Sequence, residues 1–82
     1  MSTEIRNAKY IRTDIVFVTY DENIASNIIE EIRRKYKVLK IIRSRVVREL
    51  YYLSVEGKAD DIDEHFKRSE VKWFKKDYIV FR

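Results

Sequence analysis

The 82-residue sequence predicts one small α+β domain whose elements follow the order strand, helix, strand, strand, helix, strand. Three observations support this prediction. The length suffices for a single hydrophobic core. Runs of β-branched and aromatic residues recur along the chain in lengths that are typical of strands. Between the first two runs, isoleucine recurs every four residues, which is the spacing of an amphipathic helix.

The first half of the chain predicts a strand followed by a helix. Residues 10–20 hold the first β-branched and aromatic run, and residues 15–20 are its most strand-like part. Asp21, Glu22 and Asn23 then supply a helix cap and acidic residues for the first turn. The apolar face of the helix consists of Ile24, Ile28, Ile32 and Tyr36.

The second half predicts two strands, a short helix and a last strand. Residues 37–47 and 50–55 form the strand pair, and Gly57, the only glycine, ends the second of them. Four acidic residues near position 60 predict the start of the second helix, in which Ile62, His65 and Phe66 share one face. The last strand begins at residues 71–74 and is interrupted at 75–77, and residues 78–81 form its continuation or a fifth strand.

This order predicts a ferredoxin-like βαββαβ sandwich, an antiparallel sheet with two helices on one face. Right-handed crossovers place strands one and three at the centre and strands two and four at the edges. We expect one core of Val16, Val18, Ile28, Ile32, Leu53 and Phe66. Because strands one and three are apolar on both faces, the face without helices should be covered, and a homodimer is expected.

Charge is concentrated in one segment. The net charge of +4 conceals eight basic and no acidic residues between positions 33 and 48. Such a block is typical of an anion-binding or nucleic-acid-binding surface. It is also typical of a helix end followed by an edge strand, because cations stabilise the helix dipole and protect strand edges. The residues available to nucleic acid are Lys37, Lys40, Arg43, Arg45 and Arg48.

The composition argues against an enzyme. There is no cysteine, and His65 is the only histidine, so thiolate metal sites and Cys/His or Ser/His/Asp nucleophile systems are not indicated. The acids at positions 60–64 have the spacing of a helix start, not of a calcium loop. We therefore expect no catalytic residue, no metal and no cofactor. The sequence has neither an apolar run long enough to span a bilayer nor the apolar region of a signal peptide, so we expect a cytoplasmic protein without membrane insertion. The residue usage is typical of heat-adapted proteins.

Five segments together resemble the NIL domain, a relative of the ACT domain. They are residues 15–18, 24–32, 40–42, 53–57 and 61–63, which read IVFV, IASNIIEEI, KII, LSVEG and DID. The resemblance covers residues 13–74. It implies a ferredoxin-like fold, pairing of domains side by side or face to face, and amino-acid sensing.

On this basis, the expected function is that of a small regulatory module that binds an amino acid or a similar small molecule as a dimer. The resemblance implies a ligand site near the loop after strand one and the second strand. Asp21, Glu22 and Asn23 would bind an ammonium group, and Lys40 or Arg43 a carboxylate. The alternatives are a nucleic-acid-binding protein that uses the basic second strand and the sheet aromatics, or a purely protein-interacting module. All 82 residues are expected to form one domain, with residues 1–9 flexible.

Overall fold

A computed structural model describes residues 10–81, in which four strands form one antiparallel sheet and one α-helix packs against it. The elements are β1 (Tyr10–Thr19), α1 (Glu22–Lys35), β2 (Val38–Arg43), β3 (Leu50–Glu56), a single 3₁₀ turn (Ile62–His65) and β4 (Val71–Phe81). The strand order β2-β3-β1-β4 confirms the predicted central and edge strands. This α+β arrangement is compatible with a small ferredoxin-like fold. Residues 1–9, predicted to be flexible, lie outside the described residues.

Helix α1 begins and packs as its sequence predicts. The Asp21 side chain accepts hydrogen bonds from the backbone N–H groups of Asn23 and Ile24, which would otherwise lack partners at the helix start. The buried residues of α1 are Ala25, Ile28 and Ile32, so the apolar stripe faces the sheet. With 14 residues, α1 is too short and too polar to cross a membrane, and no other helix in residues 10–81 could do so.

The predicted core is wrong at β1. Ile15 and Phe17 are fully buried beneath α1, whereas Val16 and Val18 point to the opposite face of the sheet. Because side chains alternate along a strand, only one of these two pairs can face the helix. The buried hydrophobic residues form one cluster of Ile15, Phe17, Ala25, Ile28, Ile32, Tyr51, Leu53, Val55, Ala59, Ile62, Phe66 and Val71.

The predicted second helix is wrong: this segment is a single 3₁₀ turn. Phe66, which follows the turn, is buried between the rings of Phe17 and Phe74, with centroids 5.0 and 5.6 Å away. The acidic side chains of the segment bind other elements instead of capping a helix. Asp60 accepts a hydrogen bond from the Tyr78 hydroxyl (2.6 Å), and Asp63 pairs with Lys76 (2.6 Å). These tertiary contacts hold the segment in place of a regular helix.

Two predicted strand boundaries also differ from the structure. Strand β4 is continuous through residues 75–77, because all three of these residues pair with β1 in register. Strand β2 ends at Arg43, so residues 44–49 form a loop. The predicted end of β3 is confirmed, since the strand stops at Glu56 and Gly57 has a φ of +89°, a conformation that favours glycine.

Candidate functional site

Two of the predicted ligand-binding residues, Glu22 and Arg43, meet at one end of the sheet. Glu22, in the first turn of α1, pairs with Arg43 at the end of β2, with Oε2 and the Arg43 guanidinium nitrogen 2.8 Å apart. Arg48, in the loop between β2 and β3, approaches the same carboxylate oxygen at 4.0 Å. Asn23 follows Glu22 in the exposed first turn. The structure therefore brings one carboxylate and two guanidinium groups together beside the start of α1.

Arg43 is held in this position by contacts beyond Glu22. Its Nε donates a hydrogen bond of 2.6 Å to the backbone carbonyl of Arg48. Its guanidinium lies 5.2 Å from the ring centroid of Tyr51, within the range of a cation–π contact. By contrast, the Arg48 side chain is 76% exposed. Arg43 is thus held by several contacts, whereas the Arg48 side chain is largely exposed.

Asp21 has a structural role in this region. Its Oδ1 accepts from the backbone N–H groups of Asn23 (2.9 Å) and Ile24 (3.3 Å). A carboxylate used as a helix cap keeps its second oxygen for other partners. Asp21 therefore directly precedes Glu22, but one of its carboxylate oxygens is committed to α1.

The remaining predicted basic residues lie elsewhere. Lys40 is paired in register with Ser54 on the face of the sheet opposite Arg43. Lys37 lies at the other end of β2, where it pairs with Glu56 at 3.6 Å. Arg45 is exposed in the 44–49 loop, so the expectation that it continues strand β2 is wrong. The five basic residues thus occupy three separate places, and Lys40 does not join Glu22.

The 44–49 loop has a defined shape. The Ser44 hydroxyl accepts hydrogen bonds from the backbone N–H groups of Val46 (3.2 Å) and Val47 (2.9 Å), a turn that serine side chains commonly stabilise. The backbone N–H of Leu50 closes the loop on the Val47 carbonyl at 3.0 Å. Val46, at the tip, is 91% exposed. The loop thus presents Arg45 and Val46 to solvent from a hydrogen-bonded base.

A second polar cluster lies on the sheet face opposite α1, which we call the open face. Asp14 accepts two hydrogen bonds from Arg12, at 2.8 and 3.0 Å. It also accepts from the Tyr52 hydroxyl at 2.9 Å and the Ser54 hydroxyl at 2.8 Å. Sequence analysis missed this cluster. The signal was the two-residue spacing of Arg12 from Asp14 and of Tyr52 from Ser54, which places each pair on one face of a strand.

These contacts keep Asp14 charged. Burial alone would raise the pKa of Asp14, but hydrogen bonds from Arg12, Ser54 and Tyr52 outweigh burial and hold the pKa below its usual value. Ser54 is almost completely buried within the cluster. The cluster therefore supplies the Asp14 carboxylate with four hydrogen bonds from within the sheet.

Apolar side chains share the rest of the open face with the charged residues Lys40, Glu56, Lys75 and Asp77. By strand register, Val16, Val18, Leu50, Tyr52, Ile42 and Trp73 lie on this side. Trp73 is 51% exposed and Ile42 47%. Within residues 10–81, no helix covers this face, because α1 and the 3₁₀ turn both pack against the other side of the sheet.

His65 takes part in a polar contact between α1 and the 3₁₀ segment. Its Nδ1 lies 3.0 Å from Glu31 Oε1, and Arg68 donates to the same oxygen at 2.9 Å. The hydrogen bond from His65 and the charge of Arg68 lower the pKa of Glu31. This histidine lies beside an ion pair that joins α1 to the segment after the 3₁₀ turn.

Tyr36 and Asp61 form a second contact between the same elements. The Tyr36 hydroxyl donates a short hydrogen bond to the Asp61 carboxylate. Burial of the phenol, together with this bond, raises the pKa of Tyr36 to about 12. Along with Asp60 and Asp63, Asp61 therefore fastens the segment that was predicted to be a helix.

Neither a metal site nor an enclosed ligand pocket is found in the described part of the chain. Residues 10–81 contain no cluster of three or more histidine, cysteine or acidic side chains suited to hold a metal ion. No closed cavity of ligand size is present among the same residues. Comparison with protein-family models, curated proteins and solved structures finds no match.

Proposed function

We propose that this protein is a small regulatory binding module, not an enzyme, and that it binds an amino acid or a similar zwitterion at the Glu22 end of the sheet. One observation carries the proposal: Arg43 and Arg48 both approach the carboxylate of Glu22. The position of this site, after β1 and at the end of β2, agrees with the one that the resemblance to NIL domains implies. A fold compatible with the ferredoxin-like class also supports this proposal.

The Glu22 carboxylate acts in this proposal as an internal substitute for the carboxylate of the ligand. Guanidinium groups bind carboxylates through paired N–H donors, and a rigid partner increases their specificity. The Glu22 side chain is 63% exposed, and an ion pair at such a site stabilises a protein by about 0–1 kcal/mol. A ligand carboxylate can therefore replace Glu22 on Arg43 and Arg48 at little cost.

The ammonium group of the ligand would be bound by the acidic residues of the same region. Once displaced from Arg43, Glu22 carries an unpaired negative charge beside the first turn of α1. Asp21 has one carboxylate oxygen without a capping role, and the Asn23 side chain adds a neutral acceptor. Lys40, on the other face of the sheet, has no part in this site.

Calorimetry with a panel of the twenty amino acids tests the proposal. We expect heat of binding for at least one of them and a matching increase in melting temperature. Arg48→Ala should weaken the binding of that amino acid at least tenfold, because the ligand carboxylate loses one of its two guanidinium partners. The Arg48 side chain is exposed, so its removal should leave the fold intact. Lys40→Ala removes the same charge from the opposite face and should leave the affinity unchanged. Absence of heat and of stabilisation for every amino acid would refute the proposal.

Nucleic-acid binding is the alternative, and the exposed Arg45 and Arg48 of the 44–49 loop favour it. Lys37 lies at the other end of β2 and Lys40 on the face opposite Arg43, and Glu22 offsets part of the charge beside the loop. If four or five basic residues did contact phosphates, log affinity would fall with log salt concentration at a slope of about −3 to −5. Salt-dependent retention of single-stranded DNA with that slope would make nucleic-acid binding the preferred function.

A further inference from the structure

We propose that the free edge of β4 binds an extended, acidic segment of another protein, which adds a fifth strand to the sheet. Strand β4 is the last strand in the order β2-β3-β1-β4, so one side of its backbone has no neighbouring strand among residues 10–81. Extended peptides bind many proteins in this way, because an exposed strand supplies a row of backbone donors and acceptors. Arg43 lies on β2, at the opposite edge of the sheet, so this proposal and the ligand site can fail independently.

Hydrogen bonds at the two ends of β1 show which backbone groups of β4 point to this edge. The Ile11 carbonyl accepts a hydrogen bond from the Gly57 N–H at 2.7 Å, and the Thr19 N–H donates to the Glu49 carbonyl at 3.0 Å. Odd-numbered residues of β1 therefore hydrogen-bond toward the β3 side, so its even-numbered residues bond toward β4. In the antiparallel register these even-numbered residues pair with odd-numbered residues of β4. The backbone groups that point away from the sheet are those of Phe74, Lys76, Tyr78 and Val80.

These four N–H and four C=O groups form a continuous row along the edge of β4. The pairing with β1 keeps one register from Trp73 to Phe81, and the register shift at Val18 and Thr19 lies outside this range. At about 3.3 Å per residue, the row from Phe74 to Val80 spans about 20 Å. Within residues 10–81, no hydrogen-bond partner is found for these backbone groups. A peptide of about seven residues can therefore pair with the whole row.

The lysines in the middle of β4 do not protect this edge, although lysine is a common device against unwanted strand pairing. The Lys76 ammonium is held on the helix side of the sheet, 2.6 Å from Asp63 and 3.2 Å from the Asp60 carbonyl. Its side chain is only 17% exposed. Lys75 lies on the open face, where its ammonium is 3.7 Å from Asp77. Both side chains thus leave the plane of the sheet, in which an added strand would lie.

The opposite edge of the sheet is less suited to an added strand. Strand β2 has six residues, compared with eleven in β4, and a register shift interrupts it between Val38 and Lys40. A bulge of this kind disturbs the ladder of hydrogen bonds that an added strand needs. Strand β4 is therefore the edge that offers an uninterrupted template.

The side chains of β4 indicate the chemistry of the partner. Apolar side chains flank the edge on both faces of the sheet, with Trp73 (51% exposed) on the open face and Val80 (47%) on the helix face. The strand carries three lysines and one aspartate, and the Lys75 side chain is 62% exposed. Opposite charges and β-branched side chains stabilise neighbouring strands, whereas like charges repel. The partner is therefore an extended segment with β-branched and acidic residues, and the same basic strand of a second copy fits less well.

Amide hydrogen exchange measured by NMR tests the proposal with a capped peptide, Glu-Val-Thr-Val-Glu-Val-Thr, as the probe. In the free protein, the four outward amides of β4 should exchange faster than the amides of the odd-numbered residues between them, which bond to β1. The peptide at about 1 mM should slow exchange of the outward amides at least tenfold and leave the amides of α1 unchanged. Absence of this protection would refute the proposal. Outward amides that are already protected in the free protein would refute it equally, because the edge would then be occupied.

Matched charge reversals complete the test. Lys75→Glu reverses an exposed charge on β4, and we expect the dissociation constant of the peptide to rise about three- to tenfold. Lys40→Glu makes the same change on the same face of the sheet but on the opposite edge strand, and should leave the constant unchanged. A peptide with lysine in place of both glutamates should bind Lys75→Glu more tightly than the parent, which a loss of folding could not produce. Equal effects of the two substitutions, or no such rescue, would show that the peptide does not lie along β4.

Discussion

Substitution of Phe66 tests whether the 3₁₀ segment is packed as firmly as a second helix would be. Phe66 is 1% exposed, and its ring contacts those of Phe17 and Phe74. Leucine at this position keeps most of the buried apolar area but loses both ring–ring contacts. Each such contact contributes about 0.5–1.5 kcal/mol beyond burial, so Phe66→Leu should lower the free energy of unfolding by about 1–3 kcal/mol.

Urea denaturation followed by far-UV circular dichroism measures this change. For a domain of this size, unfolding free energy falls by about 1 kcal/mol per molar urea, so the midpoint should decrease by about 1 M or more. Tyr20→Leu is the matched control, because Tyr20 is 70% exposed and its replacement should stay within about 0.5 kcal/mol of the parent. An unchanged midpoint for Phe66→Leu would show that the segment is not anchored to the sheet and that the assigned core is wrong.

Two further predictions concern pH. The pKa of Asp14 is lowered in the folded state, so its contribution to stability is present above its unfolded pKa of about 3.9 and is lost as pH falls through the folded value. Asp14→Asn should therefore destabilise the protein by about 1–3 kcal/mol at pH 7 and by less below pH ~4, as measured by urea unfolding across pH. The pKa of Tyr36 is raised to about 12, so its contribution is present below about pH 10 and is lost as pH rises toward 12. Tyr36→Phe should lack this alkaline loss in the same assay, and an identical alkaline decrease in parent and variant would contradict the assignment.

The sequence by itself determined the elements whose signals are local. Asp21 is a good cap followed by isoleucines at helical spacing, and α1 forms there. β-Branched and aromatic runs became β1 and β3, and Gly57 ended β3. The strand order also followed from the element order, because crossover handedness restricts the topology. The function and the partner remain proposals.

Tertiary contacts decided the features for which the local signal was ambiguous. Strand β1 is apolar on both faces, so periodicity alone could not show which pair of side chains faces the helix, Ile15 with Phe17 or Val16 with Val18. In the structure the first pair is buried against α1 and Phe66. The break predicted at residues 75–77 did not occur, because pairing with β1 satisfies the backbone there whatever the strand propensity of the side chains.

The acidic residues after position 59 show most clearly why sequence alone was insufficient. Locally, their spacing is that of a helix start. In the fold, Asp60, Asp61 and Asp63 bind Tyr78, Tyr36 and Lys76, which are 13 to 25 positions away in the sequence. Likewise, the ending of β2 at Arg43 allows Arg48 to return to Glu22, and the pairing of β2 with β3 places Lys40 on the other face. Local patterns specify which elements form, whereas the pairing of charged side chains depends on contacts between residues distant in sequence.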